Sequence, residues 1–465
     1  MSRPVPGRPT AQDENSRGLG DRHLAKGLAF AFLAGTWSER ELVARGRAAL
    51  GDGARGKARW LRRLVRRMLV AFPQAPTDRD DQLAAALAAD RGLRGATAVD
   101  RPGAVRIRRW LIPEATMVPV AGRPAAFRIR PLPSIGDLAA ALGLGPGELD
   151  WFADARPMNA RSADQKVWHY RHRWVAKAAG GWRLLEAPKP RLKRIQRWLL
   201  DEVLARIPAS DVAHGFVRGR SVRTFVAPHV GRAVVIRIDL EDFFASVSRA
   251  RVAALFRRVG YPRRVALALA GLCTAPTPEA VLADHPRQGS DLARRFLTNA
   301  RLRDPHLPQG SPTSPALANL AAWRLDRRLS ALAAGFGATM TRYADDLAFS
   351  GGQELEKSLR FLIPRVAAIA LEEGFRVNHR KTRVMRQGRR QALCGVVVND
   401  TANVTRRERD RLRAILFNVA RFGLDSQNRE GRPDFRQHLA GRAAWAVSLN
   451  PSTAKRLFGR TISRP

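Results

Sequence analysis

The stretch Arg342-Tyr343-Ala344-Asp345-Asp346-Leu347-Ala348-Phe349-Ser350 places two adjacent carboxylates between short apolar segments. Residues 339–349 alternate around this pair, which predicts a strand, a tight turn and a second strand. A chain with a formal net charge of +41 is not expected to gather acids in an apolar hairpin by chance. Paired carboxylates commonly hold metal ions that bring a phosphate-rich substrate into reaction. We therefore interpret Asp345 and Asp346 as catalytic candidates.

A third acid for the same site follows an apolar run upstream, Ala233-Val234-Val235-Ile236-Arg237-Ile238-Asp239. This run predicts a buried strand that ends near the Asp239 carboxylate, a common way to place a metal ligand. The pair Asp345 and Asp346 also has an ordinary alternative, because Asp at a turn often bonds the local backbone. The upstream acid favours a shared metal site over that alternative.

The composition indicates a nucleic-acid partner. Lys and Arg total 82 against 41 Asp and Glu, and the isoelectric point is about 11.7. Such an excess of positive charge is typical of proteins that bind phosphate backbones. The alternatives are a basic drift of an Arg- and Ala-rich proteome, and an anionic membrane surface, although no polybasic tail adjoins a lipid-inserting helix. With 465 residues and 45% hydrophobic content, the chain has room for two or three domains.

The cysteines and the N-terminus bear on location. Cys273 and Cys394 lie far apart in no metal-ligand spacing, which excludes a zinc knuckle and gives no sign of a disulfide framework. The polar N-terminus lacks the apolar core of a signal peptide, and the apolar run at residues 28–34 is too short to span a bilayer. We therefore expect a soluble, cytoplasmic protein with no membrane partner.

The periodicity of the sequence changes along the chain. Apolar pairs recur every four residues from Trp60 to Leu69 with arginines on the other face, which predicts an amphipathic helix. Prolines then interrupt residues 93–132, and the spacing Ser134-x-x-Asp137 predicts the start of a helix. Short β-prone segments alternate with helices from about residue 166 to about 400, and the last 60 residues are again helical.

Four segments, in order and in spacing, resemble motifs of the reverse transcriptases of bacterial retrons and, more distantly, of group II introns. The resemblance covers roughly residues 134–460. Its segments are the first catalytic motif Asp239-Leu240-Glu241-Asp242-Phe243-Phe244, the Pro-Gln-Gly motif at residues 307–315, the Tyr-x-Asp-Asp box at residues 343–346, and the segment after the catalytic hairpin at residues 374–382.

This resemblance implies an α+β fold of the right-hand polymerase type, with fingers, palm and thumb and a helical N-terminal extension. We expect a disordered lead at residues 1–20 and a helical, basic extension with a Pro-rich linker at 21–132. The N-terminal helix and fingers would occupy residues 133–232. The palm, with a fingers insertion, would occupy 233–400, and a helical basic thumb 401–465.

The implied activity is nucleotidyl transfer, namely RNA-directed DNA synthesis from dNTPs by a two-metal mechanism with two Mg²⁺ ions. Asp239 and Asp345 would bridge the metals, with Asp346 beside them and the backbone carbonyl of Leu240 as a further ligand. The partners would be a structured, cognate non-coding RNA as template and primer, the DNA product and an effector protein encoded nearby. Retron resemblance further implies 2′-hydroxyl priming, a branched RNA–DNA product and a role in phage defence.

The resemblance also assigns residues to the nucleotide and to the nucleic acid. Phe244 would exclude a 2′-hydroxyl, with a core Phe as the alternative, and Lys381 would protonate pyrophosphate. Lys177 and Arg183 would contact the triphosphate; the alternative is that they are solvated surface charges. Gln309 and Gly310 would line the nucleotide pocket; the alternative is that they form only a turn. The nucleic-acid candidates are Lys189, Arg191, Lys193, Arg194, His229, Arg406 and Arg407.

Two segments depart from the retron pattern. Phe225-Val226-Ala227-Pro228-His229 stands where Asn-Ala-x-x-His is usual, and Leu393-Cys394-Gly395 stands where Val-Thr-Gly is usual. An orphan or defence reverse transcriptase outside the retrons is therefore one alternative. A group II intron enzyme is disfavoured, because no maturase or endonuclease region follows the thumb. The other alternative is a catalytically silent RNA-binding scaffold, against which the three intact aspartates argue.

Overall fold

The computed structural model describes residues 11–51, 58–77, 79–96, 105–113, 117, 129–156, 158–177, 180–287 and 292–451. These residues form two compact units. The smaller unit comprises the described residues up to 117 together with Leu132–Ser134 and Tyr261–Val265, and the larger unit comprises most of the chain from Ile135 onward. No helix in the described ranges has the length and apolar character that crossing a bilayer requires.

The smaller unit is helical, with a core of Leu, Val and Phe side chains such as Leu28, Phe32 and Leu64. The amphipathic helix predicted around residues 60–69 is confirmed, since Leu61, Leu64, Val65 and Met68 are buried and Trp60 and Leu69 are partly buried against the same core. The helices are α1 (Ala11–Leu33), α2 (Glu39–Leu50), α3 (Ala58–Ala71), α4 (Asp80–Ala89) and α5 (Arg91–Ala96).

The basic face of α3 is partly neutralised within this unit. The Arg66 guanidinium lies 2.9 Å from the Glu39 carboxylate, and that of Arg67 lies 2.6 Å from Asp90. The prediction of a disordered lead is wrong for residues 11–20, which belong to α1, while residues 1–10 lie outside the described part. Residues 11–20 are mostly polar and show no apolar stripe. The periodicity of the sequence therefore gave no sign that they belong to the same helix as the buried Leu24 and Leu28.

The larger unit mixes strands and helices. Its strands are β1 (Tyr170–Ala176), β2 (Trp182–Pro188), β3 (Val234–Glu241), β4 (Thr339–Tyr343), β5 (Asp346–Gly351), β6 (Arg376–Val377), β7 (Arg383–Arg386), β8 (Ala392–Leu393), β9 (Val396–Val397) and β10 (Asn403–Val404). Its helices are α6 (Ile135–Leu142), α7 (Pro146–Ala153), α8 (Pro190–Glu202), α9 (Val222–Val226), α10 (Arg249–Arg258), α11 (Arg263–Cys273), α12 (Glu279–Ala283), α13 (Leu292–Arg303), α14 (Ser314–Ala321), α15 (Trp323–Gly335), α16 (Gln353–Glu372), α17 (Arg406–Phe422) and α18 (Phe435–Leu449).

The central sheet is antiparallel, in the order β4-β5-β3-β6, and β7 also pairs with β3. Helices α15 and α16 pack against it. A second cluster joins Val235 and Ala348 of the sheet to Leu393, Leu412 and Leu439. Both faces of β3 are therefore covered, which explains why its sequence is a nearly continuous apolar run rather than an alternating one. The predicted strand–turn–strand around the paired acids is confirmed as β4 and β5.

A separate two-stranded hairpin is formed by β1 and β2. Its register pairs Val175 with Arg183, and the Lys177 backbone N–H donates to the carbonyl of Gly181 at 2.9 Å. Gly180 and Gly181 both have positive φ, of 87° and 79°. Residues other than Gly rarely adopt this backbone conformation, so the two glycines permit the tight turn.

A buried ion pair holds the β4–β5 hairpin in place. Arg342 of β4 and Asp326 of α15 are both fully buried. The Arg342 guanidinium donates to the two carboxylate oxygens of Asp326 at 2.6 and 2.7 Å. The third guanidinium nitrogen donates to the Asn319 side chain at 2.8 Å and to the Ala344 carbonyl at 3.1 Å. The hairpin turn is thereby tied to helices α14 and α15.

We expect Asp326→Ala to destabilise the protein strongly, because it leaves the Arg342 guanidinium buried without its counter-charge. Breaking such a pair from one side costs about 3–5 kcal/mol of unfolding free energy. Denaturant unfolding followed by circular dichroism measures it. Glu354→Ala is the matched control, since the Glu354–Lys357 pair is exposed to solvent and should change stability little. Equal stability of the two variants would contradict the role of the buried pair.

Candidate active site

Strand pairing brings the three predicted acids together. Asp239 of β3 stands directly opposite Asp346 of β5, and Asp345 occupies the turn immediately before it. The Leu240 backbone N–H donates to the Asp345 carbonyl at 2.9 Å, which holds the turn against β3. Ala344, the other turn residue, has a φ of +55°. The three acids and Leu240 all line one cleft of about 370 Å³.

The Asp239 carboxylate is buried and held by two side chains that follow the hairpin in sequence. Lys381 Nζ lies 2.9 Å from its Oδ1, and Asn378 Nδ2 donates to its Oδ2 at 3.3 Å. The Asn378 backbone N–H also donates to the Asp239 carbonyl at 2.7 Å. The segment after the hairpin therefore supplies a charge partner and a hydrogen-bond donor to the first acid.

The Asp346 carboxylate is held by Arg237, which lies two residues before Asp239 on β3. Arg237 Nε donates to Oδ1 at 2.8 Å and Nη2 to Oδ2 at 3.2 Å, a two-point ion pair. The Cys394 thiol lies 3.5 Å from the same Oδ2. Burial first, and then the Asp346 charge, raise the pKa of the Cys394 thiol to about 12, so the thiol is protonated at neutral pH.

Asp345 has no such cation partner at hydrogen-bonding distance among the described residues. Burial first, and then repulsion from Asp346 and Asp239, raise the pKa of its carboxyl from the ordinary 3.8 to about 6. The unfavourable charge of Asp345 is the kind that a bound divalent cation would relieve.

No three His, Cys, Asp or Glu side chains in the described ranges are grouped so that they would by themselves hold a metal ion. Lys381 and Arg237 contact oxygens of Asp239 and Asp346 in this structure. The donor set still fits a hard divalent cation, because it consists of carboxylate oxygens, and Leu240, whose carbonyl is the predicted further ligand, lines the same cleft.

The cleft also contains the residues predicted to handle the nucleotide. Lys177 follows β1, Arg183 lies on β2, and Phe244 lies close after β3. Burial first, and then the positive charge of Arg183, lower the pKa of Lys177, while Asp242 raises it, so the net direction is down. All three residues line the cleft that holds the acids.

Comparison with known proteins identifies the family. Residues 175–408 match the family model described as reverse transcriptase (RNA-dependent DNA polymerase). The chain is 44% identical over 332 residues to the retron Mx65 reverse transcriptase of Myxococcus xanthus, which covers 70% of this chain and 71% of that protein. It is 37% identical over 345 residues to the retron Mx162 reverse transcriptase of the same organism. That match covers 72% of this chain and 67% of the Mx162 protein.

The chain belongs to the retron-type reverse transcriptases. It is an RNA-directed DNA polymerase with the right-hand polymerase fold, and the family generally uses divalent metal ions and dNTPs. Apo telomerase from Candida tropicalis, a solved structure, matches with a TM-score of 0.33 and 9% identity over 53% of this chain and 56% of that one, too low to support any conclusion.

In this reverse transcriptase, Gln309 and Gly310 lie shortly after His306 in sequence, and His306 forms a buried ion pair with Glu186. His306 Nε2 lies 3.0 Å from Glu186 Oε2, and the Glu186 backbone N–H donates to the Gln309 carbonyl at 2.9 Å. Burial by itself lowers the pKa of His306, but the charge of Glu186 and its hydrogen bond raise it overall. Gln309 lines the cleft, whereas Gly310 has a φ of +135° and lies against the Glu186 backbone, where a Cβ would meet the Glu186 carbonyl at 3.0 Å.

The residues predicted to contact nucleic acid do not line the cleft. Those that are exposed are Arg191, Lys193 and Arg194 on α8 and Arg406 and Arg407 on α17. Lys189 donates its ammonium to the carbonyls of Gln165 and Lys166 at 3.0 and 2.8 Å, so its charge caps a loop within the protein.

The prediction that His229 contacts nucleic acid is wrong. Its side chain is fully buried behind the catalytic hairpin, and its ring nitrogens lie 2.6 Å from the Ser350 hydroxyl and 2.7 Å from that of Thr341. Burial lowers the pKa of His229 to about 4, so the ring is neutral at physiological pH. The histidine braces β4 and β5 from within and has no surface to offer an RNA.

Sequence reasoning missed Arg237 and Asn378. Arg237 interrupts an apolar run two residues before Asp239, and residues two apart share one face of a strand. A charge in that position was a usable signal of a partner for an acid on the neighbouring strand. Asn378 lay inside a recognised motif, but nothing in its spacing indicated that it would reach back to Asp239.

We expect Asp345→Asn to stabilise the metal-free enzyme above about pH 6. The folded-state pKa of this carboxyl exceeds the ordinary value, so the folded protein binds the proton more tightly between about pH 4 and 6. The stabilisation that the protonated Asp345 carboxyl gives the folded protein is therefore lost as the pH rises from about 4 to 6. The shift corresponds to about 3 kcal/mol at most.

Denaturant unfolding with a chelator present, at pH 8 and at pH 4, measures this effect. Asp345→Asn should be about 1–3 kcal/mol more stable than the wild type at pH 8 and equal to it at pH 4. Asp346→Asn is the contrasting control, because it deprives Arg237 of its ion pair and should lower stability at pH 8. A less stable Asp345→Asn enzyme at pH 8 would contradict this assignment.

Proposed function

We propose that the enzyme copies a structured RNA into DNA by two-metal phosphoryl transfer at Asp239 and Asp345, with Asp346 beside them and the Leu240 carbonyl as a further ligand. The observation that supports this most is the strand register, which sets Asp239 opposite Asp346 with Asp345 at the adjoining turn. Two bound Mg²⁺ ions would supply activation of the primer hydroxyl and neutralisation of the leaving pyrophosphate.

The protein's own cations support this proposal. Arg237 holds Asp346 by two hydrogen bonds, which fixes that carboxylate, whereas no cation of the described residues lies at hydrogen-bonding distance from Asp345, whose pKa is raised. Lys381 reaches Asp239 from the segment after the hairpin. We assign Lys381 to this carboxylate and to the proton that the departing pyrophosphate takes up.

Three cations that line the cleft suit a triphosphate. Lys177 and Arg183 come from the β1–β2 hairpin, and Arg294 of α13 lines the same cleft. These cations would contact phosphate oxygens, while Gln309 and Gly310 would lie along the base and sugar. Phe244 would lie beneath the sugar and exclude a 2′-hydroxyl.

The family membership and the charge of +41 support a cognate non-coding RNA as the template and primer. We propose an RNA-linked single-stranded DNA as the product, an antiphage role and an effector protein as partner. We further propose fingers within residues 133–232, the palm within 233–400 and the thumb within 401–465, where Arg406 and Arg407 face solvent for a phosphate backbone. Sequencing the nucleic acid that copurifies with the enzyme tests the RNA assignment.

We expect Asp345→Asn and Asp346→Asn to lose at least about a hundredfold in primer-extension rate, since each removes negative charge at the reacting phosphates. Extension of a DNA primer on an RNA template, followed on a gel, measures this. Asp211→Asn is the control, because Asp211 is fully exposed and outside the cleft. Activity equal to the wild type in the first two variants would end the proposal of a metal site at these acids.

We expect Phe244→Ala to increase the incorporation of ribonucleotides relative to deoxynucleotides by roughly tenfold or more, because it opens space at the 2′ position. The ratio of kcat/KM values for one dNTP and its matching rNTP is the measurement. Phe361→Ala, which removes a half-exposed ring of α16 outside the cleft, is the control. An unchanged ratio in Phe244→Ala would exclude the steric gate.

A further inference from the structure

The backbone of the described residues is unusual at the cleft. Five described residues other than Gly have a positive φ, and four of them line the cleft: Phe216, Asp242, Ala344 and Cys394. Such conformations persist where the surrounding structure enforces them, and they cluster at functional sites. Ala344 needs its conformation for the hairpin turn, and the Asp242 carboxylate accepts a hydrogen bond from Arg301 at 2.8 Å. Phe216 has no such explanation.

Phe216 combines a strained backbone with an exposed ring. Its φ is +60°, a region that bulky residues rarely adopt, and its side chain is 56% exposed. The ring centroid lies 6.3 Å from those of Phe244 and Tyr343, with the ring planes tilted by 56° and 39°. An exposed ring gains little from burial, so packing within the protein does not account for the conformation.

The loop that carries Phe216 is bound tightly to the catalytic hairpin. The His214 backbone N–H donates to the Arg342 carbonyl at 2.7 Å, and Asn319 Nδ2 donates to the Gly215 carbonyl at 2.8 Å. A Cβ on Gly215 would lie 2.6 Å from the Ala344 nitrogen, so only glycine permits this approach. The ring is therefore held at a set position beside the acids.

We propose that Phe216 is a nucleic-acid-binding residue whose ring stacks on a base of the primer–template at the catalytic hairpin. This inference rests on the proposed function. Stacking on an exposed aromatic ring is a sequence-tolerant way to hold a nucleic-acid strand. The side chains suited to the triphosphate, Lys177 and Arg183, come from the β1–β2 hairpin, whereas Phe216 is bound to the β4–β5 hairpin. We therefore assign the strand as the ligand, and the Kd without dNTP and the KM for dNTP separate this from a contact with the incoming dNTP, whose sugar Phe244 would contact.

The experiment compares four substitutions, Phe216→Ala, Phe216→Asn, Phe216→Trp and Phe361→Ala, in the full-length enzyme. Fluorescence anisotropy with a labelled DNA primer annealed to an RNA template gives Kd in the absence of dNTP. Loss of one stacked base should weaken binding about 5- to 150-fold in Phe216→Ala and Phe216→Asn. Phe216→Trp keeps a ring and should bind nearly as the wild type, and Phe361→Ala should be unchanged.

Two further readouts separate stacking from a structural role. Asn tolerates a positive φ, so Phe216→Asn should keep or raise the melting temperature while its binding falls. The KM for dNTP at saturating primer–template should stay near the wild-type value in every variant. Equal Kd values for Phe216→Ala and Phe361→Ala, a drop in melting temperature that parallels the loss of binding, or a change confined to the KM for dNTP would each overturn the inference.

Primer extension by the wild type, lost in Asp345→Asn, reports on the proposed function separately. If that pattern holds and Phe216→Ala binds normally, only the stacking role fails. If Asp345→Asn extends primers as the wild type does, the proposed function fails whatever Phe216 does.

Discussion

A fully buried guanidinium, that of Arg342, connects the parts from which the catalytic cleft is built. Its side chain bonds Asp326 and Asn319 on two helices and the Ala344 carbonyl in the hairpin turn. Its backbone bonds the loop at residues 212–214, which leads to Phe216. A charge buried at this depth is stable only when every partner is in place. The side chain and backbone of Arg342 therefore fix the β4–β5 hairpin relative to helices α14 and α15 and to the loop that carries Phe216.

Electrostatics around the acids follow the same principle of local compensation. The chain is strongly basic, and two of its cations, Arg237 and Lys381, are used to hold Asp346 and Asp239. In the part of the chain that the structure describes, no cation lies at hydrogen-bonding distance from Asp345, and its burial and its acidic neighbours raise its pKa. The cleft thus holds two carboxylates in fixed orientation and one that gains most from an added cation. This arrangement favours metal-dependent chemistry over a purely structural role for the acids.

Sequence and structure agree best where the information is local. Periodicity predicted the β4–β5 hairpin, and the apolar run before Asp239, together with the motif order, indicated that this acid belongs with Asp345 and Asp346. Prediction failed where burial decides. His229 matched a motif yet is fully buried behind the catalytic hairpin. A motif specifies a residue type, whereas exposure depends on what packs over it.

By itself the sequence determined the family, the chemistry of the acids and most of the strands that carry them, because these depend on residue type and short-range order. Tertiary structure alone decided which cations neutralise the acids, since Arg237 meets Asp346 across 109 positions of sequence. It also decided the strained, exposed placement of Phe216, which follows from hydrogen bonds to a distant hairpin and helix. Contacts between residues far apart in sequence leave no periodic signal along the chain, so only the folded molecule reveals them.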